Sequence, residues 1–174
     1  MDMFVDTDFA GLWWVKSPTD PISVKSRTGY VISISGCYLL AKSCLQTSIA
    51  QSTGESEYIA LSHGHHALLP IHSTLVEILA LIGLPDHLKD ADTKFKTLVH
   101  EENKSALILD VDQCGAPRTK HYDVKMHWFW SIINDLFNNI KVVQVDTKVQ
   151  QADYLTKVLP SPEFITSRKF SQGW

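Results

Sequence analysis

Cysteine is sparse in this sequence. Three occur in 174 residues, at 37, 44 and 114, and no two form a CxxC pair. That argues against a disulfide frame or a cysteine-based zinc module, and the three read as reduced core thiols of an intracellular protein. No apolar run approaches the roughly 20 residues that span a bilayer, and the N-terminus lacks the basic-then-apolar pattern of a secretory leader, so no membrane partner is expected. A surplus of positive charge is missing too: 16 Lys and Arg stand against 19 Asp and Glu, a net charge of -3. A nucleic-acid ligand would therefore need a local basic patch, since the whole-molecule field does not attract it. There is no GxSxG elbow, HExxH helix, P-loop or dinucleotide fingerprint. His63, His65 and His66 cluster, but only His63 and His66 share a helix face and no third ligand is evident, so they read as surface or satisfied histidines. Internal repeats and low-complexity tracts are absent.

What is present is a globular composition, 44% apolar and 20% charged, long enough for one domain with a real core. Strand-like sequence begins almost at once, which suggests a domain cut from something longer. Residues 4–9 read as a strand ending in a loop. Residues 17–27, with Pro18 and Pro21, read as a loop. Residues 29–35 and 37–43 read as an antiparallel hairpin turned at Ser35-Gly36, completing a three-stranded meander. A long helix is expected from Thr53 to Leu81, capped by Ser52 or Thr53, kinked or broken at Pro70 and stopped at Gly83. Residues 95–100 form a fourth strand, and Ser105 to Leu109 starts a helix. A loop carries Arg118 and Lys120, and residues 121–138 form a helix whose aromatics belong to the core. Residues 140–145 form a fifth strand, and a last helical piece opens at Ala152.

Carboxylates sit where these elements end or begin. Asp6 and Asp8 share one face of the first strand. Glu55 and Glu57 lie in the first turns of the long helix, where either could serve the helix dipole alone. Glu101 and Glu102 end the fourth strand just before a helix, a usual site position in α/β folds. Asp153 opens the last helical piece. Taken together, Asp6, Glu57, Glu102 and Asp153 offer oxygen ligands of the kind that hard divalent cations prefer. Two ions about 4 Å apart would suit phosphodiester hydrolysis.

Six stretches in order then carry a resemblance: VDTDFAG at 5–11, SRTGYV at 26–31, STGESEYIAL at 52–61, VHEEN at 99–103, RTKHY at 118–122 and ADYLTK at 152–157. The chain resembles the ribonuclease H domain of copia-type retrotransposon Pol polyproteins across almost its whole length. The closing Gly173-Trp174 resembles the end of some such polyproteins. The resemblance implies a single ribonuclease H-like domain over 1–174, from the C-terminal part of a longer polyprotein. Its fold would be a five-stranded mixed sheet, three antiparallel strands followed by two parallel ones, flanked by helices. It also implies an endonuclease that cuts the RNA strand of an RNA/DNA hybrid with two Mg2+ ions, Mn2+ able to substitute. The partners implied are the hybrid and the reverse transcriptase of the same polyprotein, in the cytoplasm, within virus-like particles.

By position, the family's first aspartate falls on Asp6, which would bridge both metals. Its helix glutamate falls on Glu57 and its last aspartate on Asp153. Its middle aspartate falls on Glu102, a departure, and by the family pattern that position serves the leaving-group metal with Asp6 and Glu57. The short loop 146–151 has no histidine, which leaves a proton shuttle unassigned. Candidates for contacts to hydroxyl and sugar are Asn103 and Gln51, and for phosphate Arg118, Lys120 and Lys125. A degenerate, non-catalytic domain that binds nucleic acid or tethers its polyprotein is the alternative, and a related phosphodiesterase acting on DNA is a third.

Overall fold

The computed structural model describes residues 1–13, 15–17, 19–83, 96–103 and 140–172. Five strands form one sheet: β1 Asp2–Asp8, β2 Arg27–Ile34, β3 Cys37–Leu45, β4 Thr97–Glu101 and β5 Ile140–Gln144, in the order β3-β2-β1-β4-β5. β1 pairs antiparallel with β2 and β2 with β3, whereas β1–β4 and β4–β5 are parallel. This is the expected mixed sheet, with each strand within two residues of its expected start. The β2–β3 hairpin turns at Ser35 and Gly36, with φ of 50° and 77°. Two successive positive φ values match the turn twist that joins antiparallel strands, and glycine adopts that conformation at no steric cost.

β1 is central and buried along most of its length, as its apolar run requires. β3 is the edge strand and is largely exposed. The expectation of core thiols is corrected there. Cys37 is exposed and Cys44 half-buried, both free, because an edge strand has a neighbour on one side only.

Helix α1 spans Thr53–Leu81. The Ser52 hydroxyl accepts the Glu55 N–H at 3.1 Å, so Ser52 is the cap, and Glu55 reaches back to accept the Gln51 N–H, one residue before it, at 2.5 Å. The helix does not break at Pro70. Pro70 is exposed, so solvent can serve the carbonyl that loses its intrahelical donor. Gly83, at φ 81°, supplies the expected stop, and its N–H reaches Ala80 O at 3.2 Å.

α1 lies on one face of the sheet. Ala60, Leu61, Leu68 and Leu69 pack on Met3, Val5, Tyr30, Ile32, Val99 and Ile140. A Cβ at Gly64 would come within 3.2 Å of Met3 and Val5 atoms, so this glycine lets helix and sheet approach closely. On the other face Phe4 packs with Val145 and Ala152 and stacks on His100, ring centroids 4.2 Å apart. Two short helices follow β5, α2 at Asp153–Thr156 and α3 at Ser161–Gln172. Gly29 admits α2: a Cβ there would sit 2.6 Å from Thr156 Cγ2 and 2.9 Å from Leu155 Cβ. The helices expected from Ser105 and over 121–138, and Cys114, lie outside the described residues.

Candidate metal centre

The parallel pairing of β1 with β4 brings their C-terminal ends to the same edge of the sheet. Met3 stands beside Val99 and Phe4 beside His100, which carries Glu101 next to Val5 and the chain beyond it towards Asp6. Asp6 is only 3% exposed. The Thr156 hydroxyl donates to its Oδ2, and Lys157 Nζ lies 3.4 Å from its Oδ1. Lys157 also donates to Asp153 Oδ1 at 2.7 Å, joining the first aspartate to the last. Glu102 follows β4, and its Oε1 accepts the Thr147 hydroxyl at 2.5 Å. One carboxylate oxygen each from Asp6, Glu102 and Asp153 lie within 4.8 Å of one another.

Glu57 stands outside that trio, in the first turns of α1, while Glu55 is used by the helix cap. Glu57 Oε2 is buried with no hydrogen-bond partner among the described residues. Glu101 is fully buried; its Oε1 accepts the Asn103 N–H at 2.9 Å, and its Oε2 has no partner among the described residues. Gln51 is exposed beside the cap, and Asn103 is half-buried after β4. Arg118, Lys120 and Lys125 lie outside the described residues.

Crowding of carboxylates out of water raises their affinity for protons. Burial, then the nearby Glu101 and Asp6, pushes Glu57 up to about 10. Burial raises Glu101 to about 8, against the pull of the Asn103 N–H. Burial also raises Asp6 to about 6, with Lys157 and Thr156 opposing and Asp153 adding. Burial would lower Lys157, but Asp6 and Asp153 outweigh it and hold its ammonium charged. Asp8 is raised by burial, less strongly. The site thus resists gathering negative charge without a counter-charge. Three hard oxygen donors in close array, with buried unpartnered oxygens on Glu57 and Glu101 beside them, fit divalent cations of the magnesium kind.

The structure brings Asp6, Glu102 and Asp153 together and sets Glu57 beside Glu101. Glu102 lies with Asp6 and Asp153 and accepts from Thr147, and its charge also reaches Glu57. Sequence reasoning missed Lys157 as the ammonium between two acids, Thr156 as a donor to Asp6, and Gln150. The Gln150 amide donates to Val5 O at 2.8 Å and accepts the Ala152 N–H at 3.2 Å, which ties α2 to β1. One signal was available: the i,i+4 spacing of Asp153 and Lys157 on a helix.

The sheet order, the flanking helices and the carboxylate-lined edge define a ribonuclease H-like fold. The chain superposes on LC11-RNase H1 solved in complex with an RNA/DNA hybrid, TM-score 0.52 at 18% identity, over 88% of this chain and 91% of that one. A second structure of LC11-RNase H1, isolated from compost by a metagenomic approach, gives TM-score 0.50 at 16% identity, over 88% and 90%. No family model matches the chain. In sequence it is 33% identical over 161 residues to the retrovirus-related Pol polyprotein from transposon TNT 1-94 of Nicotiana tabacum. The match covers 92% of this chain and 10% of that polyprotein. Fold and relative together make the chain a ribonuclease H-like domain akin to that of a copia-type retrotransposon Pol polyprotein.

Proposed function

We propose that this domain hydrolyses the RNA strand of RNA/DNA hybrids during retrotransposon reverse transcription, with two divalent ions held by its carboxylates. The observation that carries the reading is the convergence of Asp6, Glu102 and Asp153 within 4.8 Å at the edge where β1 and β4 end. Asp6, Glu57, Glu102 and Asp153 would hold Mg2+, or Mn2+ in its place. When bound, the ions supply Lewis-acid stabilisation of charge developing on the phosphodiester. The protein's part is placement. The Thr156 hydroxyl and the Gln150 amide fix β1 against α2, Thr147 steadies Glu102, and the seam beneath α1 keeps one oxygen of Glu57 from bulk water. Lys157 offsets the charge of Asp6 and Asp153 and holds the two side chains together.

Recognition would rest on backbone and 2′-hydroxyl contacts, from Asn103 and Gln51 to sugar and from Arg118, Lys120 and Lys125 to phosphate. Support for the hybrid as ligand comes from LC11-RNase H1, which was solved with one. The polyprotein relative supports a place within a retrotransposon Pol polyprotein; a working place beside its reverse transcriptase, in the cytoplasm within virus-like particles, is part of the proposal. No helix among the described residues is long and apolar enough to cross a membrane.

A non-catalytic nucleic-acid-binding or tethering role is the second reading, favoured by Glu102 where the family carries aspartate and by the ammonium already lodged among the acids. The test is cleavage of labelled hybrid, duplex DNA and single-stranded RNA, with Mg2+, Mn2+ or a chelator. Metal-dependent cutting of RNA in the hybrid alone is the expected result. Binding of the hybrid without cutting in either metal establishes the second reading.

A further inference from the structure

Glu101 has no role in the reading above, yet it is the most buried acid of the site. β4 alternates cleanly: Thr97, Val99 and Glu101 are buried on the α1 side, and Leu98 and His100 are not. Val99 packs with Ala60 and Leu61 of α1. Two residues further along β4 comes Glu101, and one turn back from Leu61 comes Glu57. The two carboxylates therefore share the seam between α1 and the sheet, beside the strand that carries Asp6. Each has one buried oxygen with no hydrogen-bond partner among the described residues.

A buried carboxylate oxygen normally has a hydrogen-bond partner, because leaving a buried polar atom unpaired is costly. Two such oxygens sharing one seam are what a cation ligand set leaves behind when its ion is not counted. Glu102, in contrast, is committed to the other side, with Asp6 and Asp153. Among the described residues, five carboxylates set against the Lys157 ammonium also leave a formal negative charge that two divalent ions match.

We infer that Glu101 is a metal ligand, holding with Glu57 and Asp6 one divalent ion beside the ion held by Asp6, Glu102 and Asp153. The inference rests on the divalent-metal reading of the site. It assigns the two acids at the end of β4 to two different ions, where the family places one acid.

The experiment titrates the whole, metal-free domain with Mn2+, read by calorimetry and by the electron paramagnetic resonance of bound Mn2+. Glu101→Gln keeps the side-chain volume and an acceptor for the Asn103 N–H, so its circular dichroism should match the parent. It should lose one Mn2+ equivalent or bind at least about tenfold more weakly, the least that even an outer-shell loss costs a metal site. Glu102→Gln should weaken binding while leaving the Glu101 position occupied. If Glu101→Gln does not fold, Glu101→Asp, which keeps the charge but shortens the reach, carries the same expectation. Asp6→Asn separates the two levels. If Asp6→Asn binds Mn2+ like the parent, the metal centre itself is misplaced. If Asp6→Asn loses Mn2+ while Glu101→Gln retains the parent's stoichiometry and affinity, the Glu101 assignment alone is overturned.

Discussion

Asp6 is held from two sides, by the Thr156 hydroxyl and the Lys157 ammonium, and none of these contacts needs its charge to form a fold. An amide of the same shape still accepts the Thr156 proton. Asp6→Asn should therefore fold, and without metal at pH 8 it should melt at a higher temperature than the parent. The sign follows from its pKa, raised to about 6, which means the folded protein disfavours the carboxylate above that pH. Differential scanning calorimetry in chelator checks it; a lower melting temperature contradicts it.

Glu102 adds one methylene to the family's aspartate. Magnesium requires near-ideal octahedral geometry at about 2.1 Å. A misplacement of about 1 Å can cost roughly a hundredfold in rate. Parent activity is accordingly expected to be weak in Mg2+ and better in Mn2+. Glu102→Asp should raise Mg2+-dependent cleavage by up to about that factor. High, equal activity in parent and variant would show that the strand end has already absorbed the extra length, helped by Thr147.

At the scale of elements, the site depends on how closely helices approach the sheet. Gly64 sits against Met3 and Val5, and Gly29 against Thr156 and Leu155. Gly64→Ala crowds the flexible end of Met3 and one methyl of Val5 by a few tenths of an ångström, against a helix-propensity gain of about 1 kcal/mol. Urea denaturation should therefore show a net change within about 1 kcal/mol, while Mn2+ affinity stays near the parent's. Gly29→Ala pushes on α2, which carries Asp153 and Lys157. It should weaken metal binding more than its loss of stability accounts for. Equal effects of the two variants on Mn2+ affinity would show that α2 is not the sensitive element.

These two glycines also mark what could be read from sequence. The strands and α1 were legible because β-branched runs, the Ser35-Gly36 turn, the Ser52 cap and the Gly83 stop are local signals. Asp6 and Asp153 were legible by their places at a strand end and a helix start, and by the motifs around them. The close approaches at Gly29 and Gly64 are contacts between residues far apart in the chain, and nothing local announces them. The buried bonds of Gln46 to Thr28 Oγ1 and Ser56 O, at 3.0 and 2.8 Å, were hidden for the same reason. Glu101 was half legible: its strand alternation put it on the buried face, but the motif match drew attention to its neighbour. Pro70 does not break α1, because its side of the helix faces solvent, where a missing hydrogen bond is cheaply replaced.

For the whole molecule, the buried acids couple stability to pH and metal. Glu57 and Glu101 are raised to about 10 and about 8, so the folded state holds their protons more tightly than the unfolded chain, whose glutamates titrate near 4.3. That stability is fully present below about pH 4 and is lost as pH rises through those two values. His65, buried and lowered to about 3, acts in the opposite sense only below about 6.5. Between about pH 6.5 and 9 the melting temperature of the metal-free protein should therefore fall. Saturating Mg2+ replaces the protons with a cation and should flatten that slope. A melting temperature that rises over this range in chelator contradicts the assignment of these acids as crowded and buried.

Asp6 is the one carboxylate common to both proposed ion positions. Its most direct test is a side-by-side cleavage of a labelled RNA/DNA hybrid in Mn2+ by the parent and by Asp6→Asn, each shown by circular dichroism to be folded. The parent should cut the RNA strand and the variant should leave it intact. Cutting by Asp6→Asn at the parent's rate would remove Asp6 from the site and contradict the proposed centre.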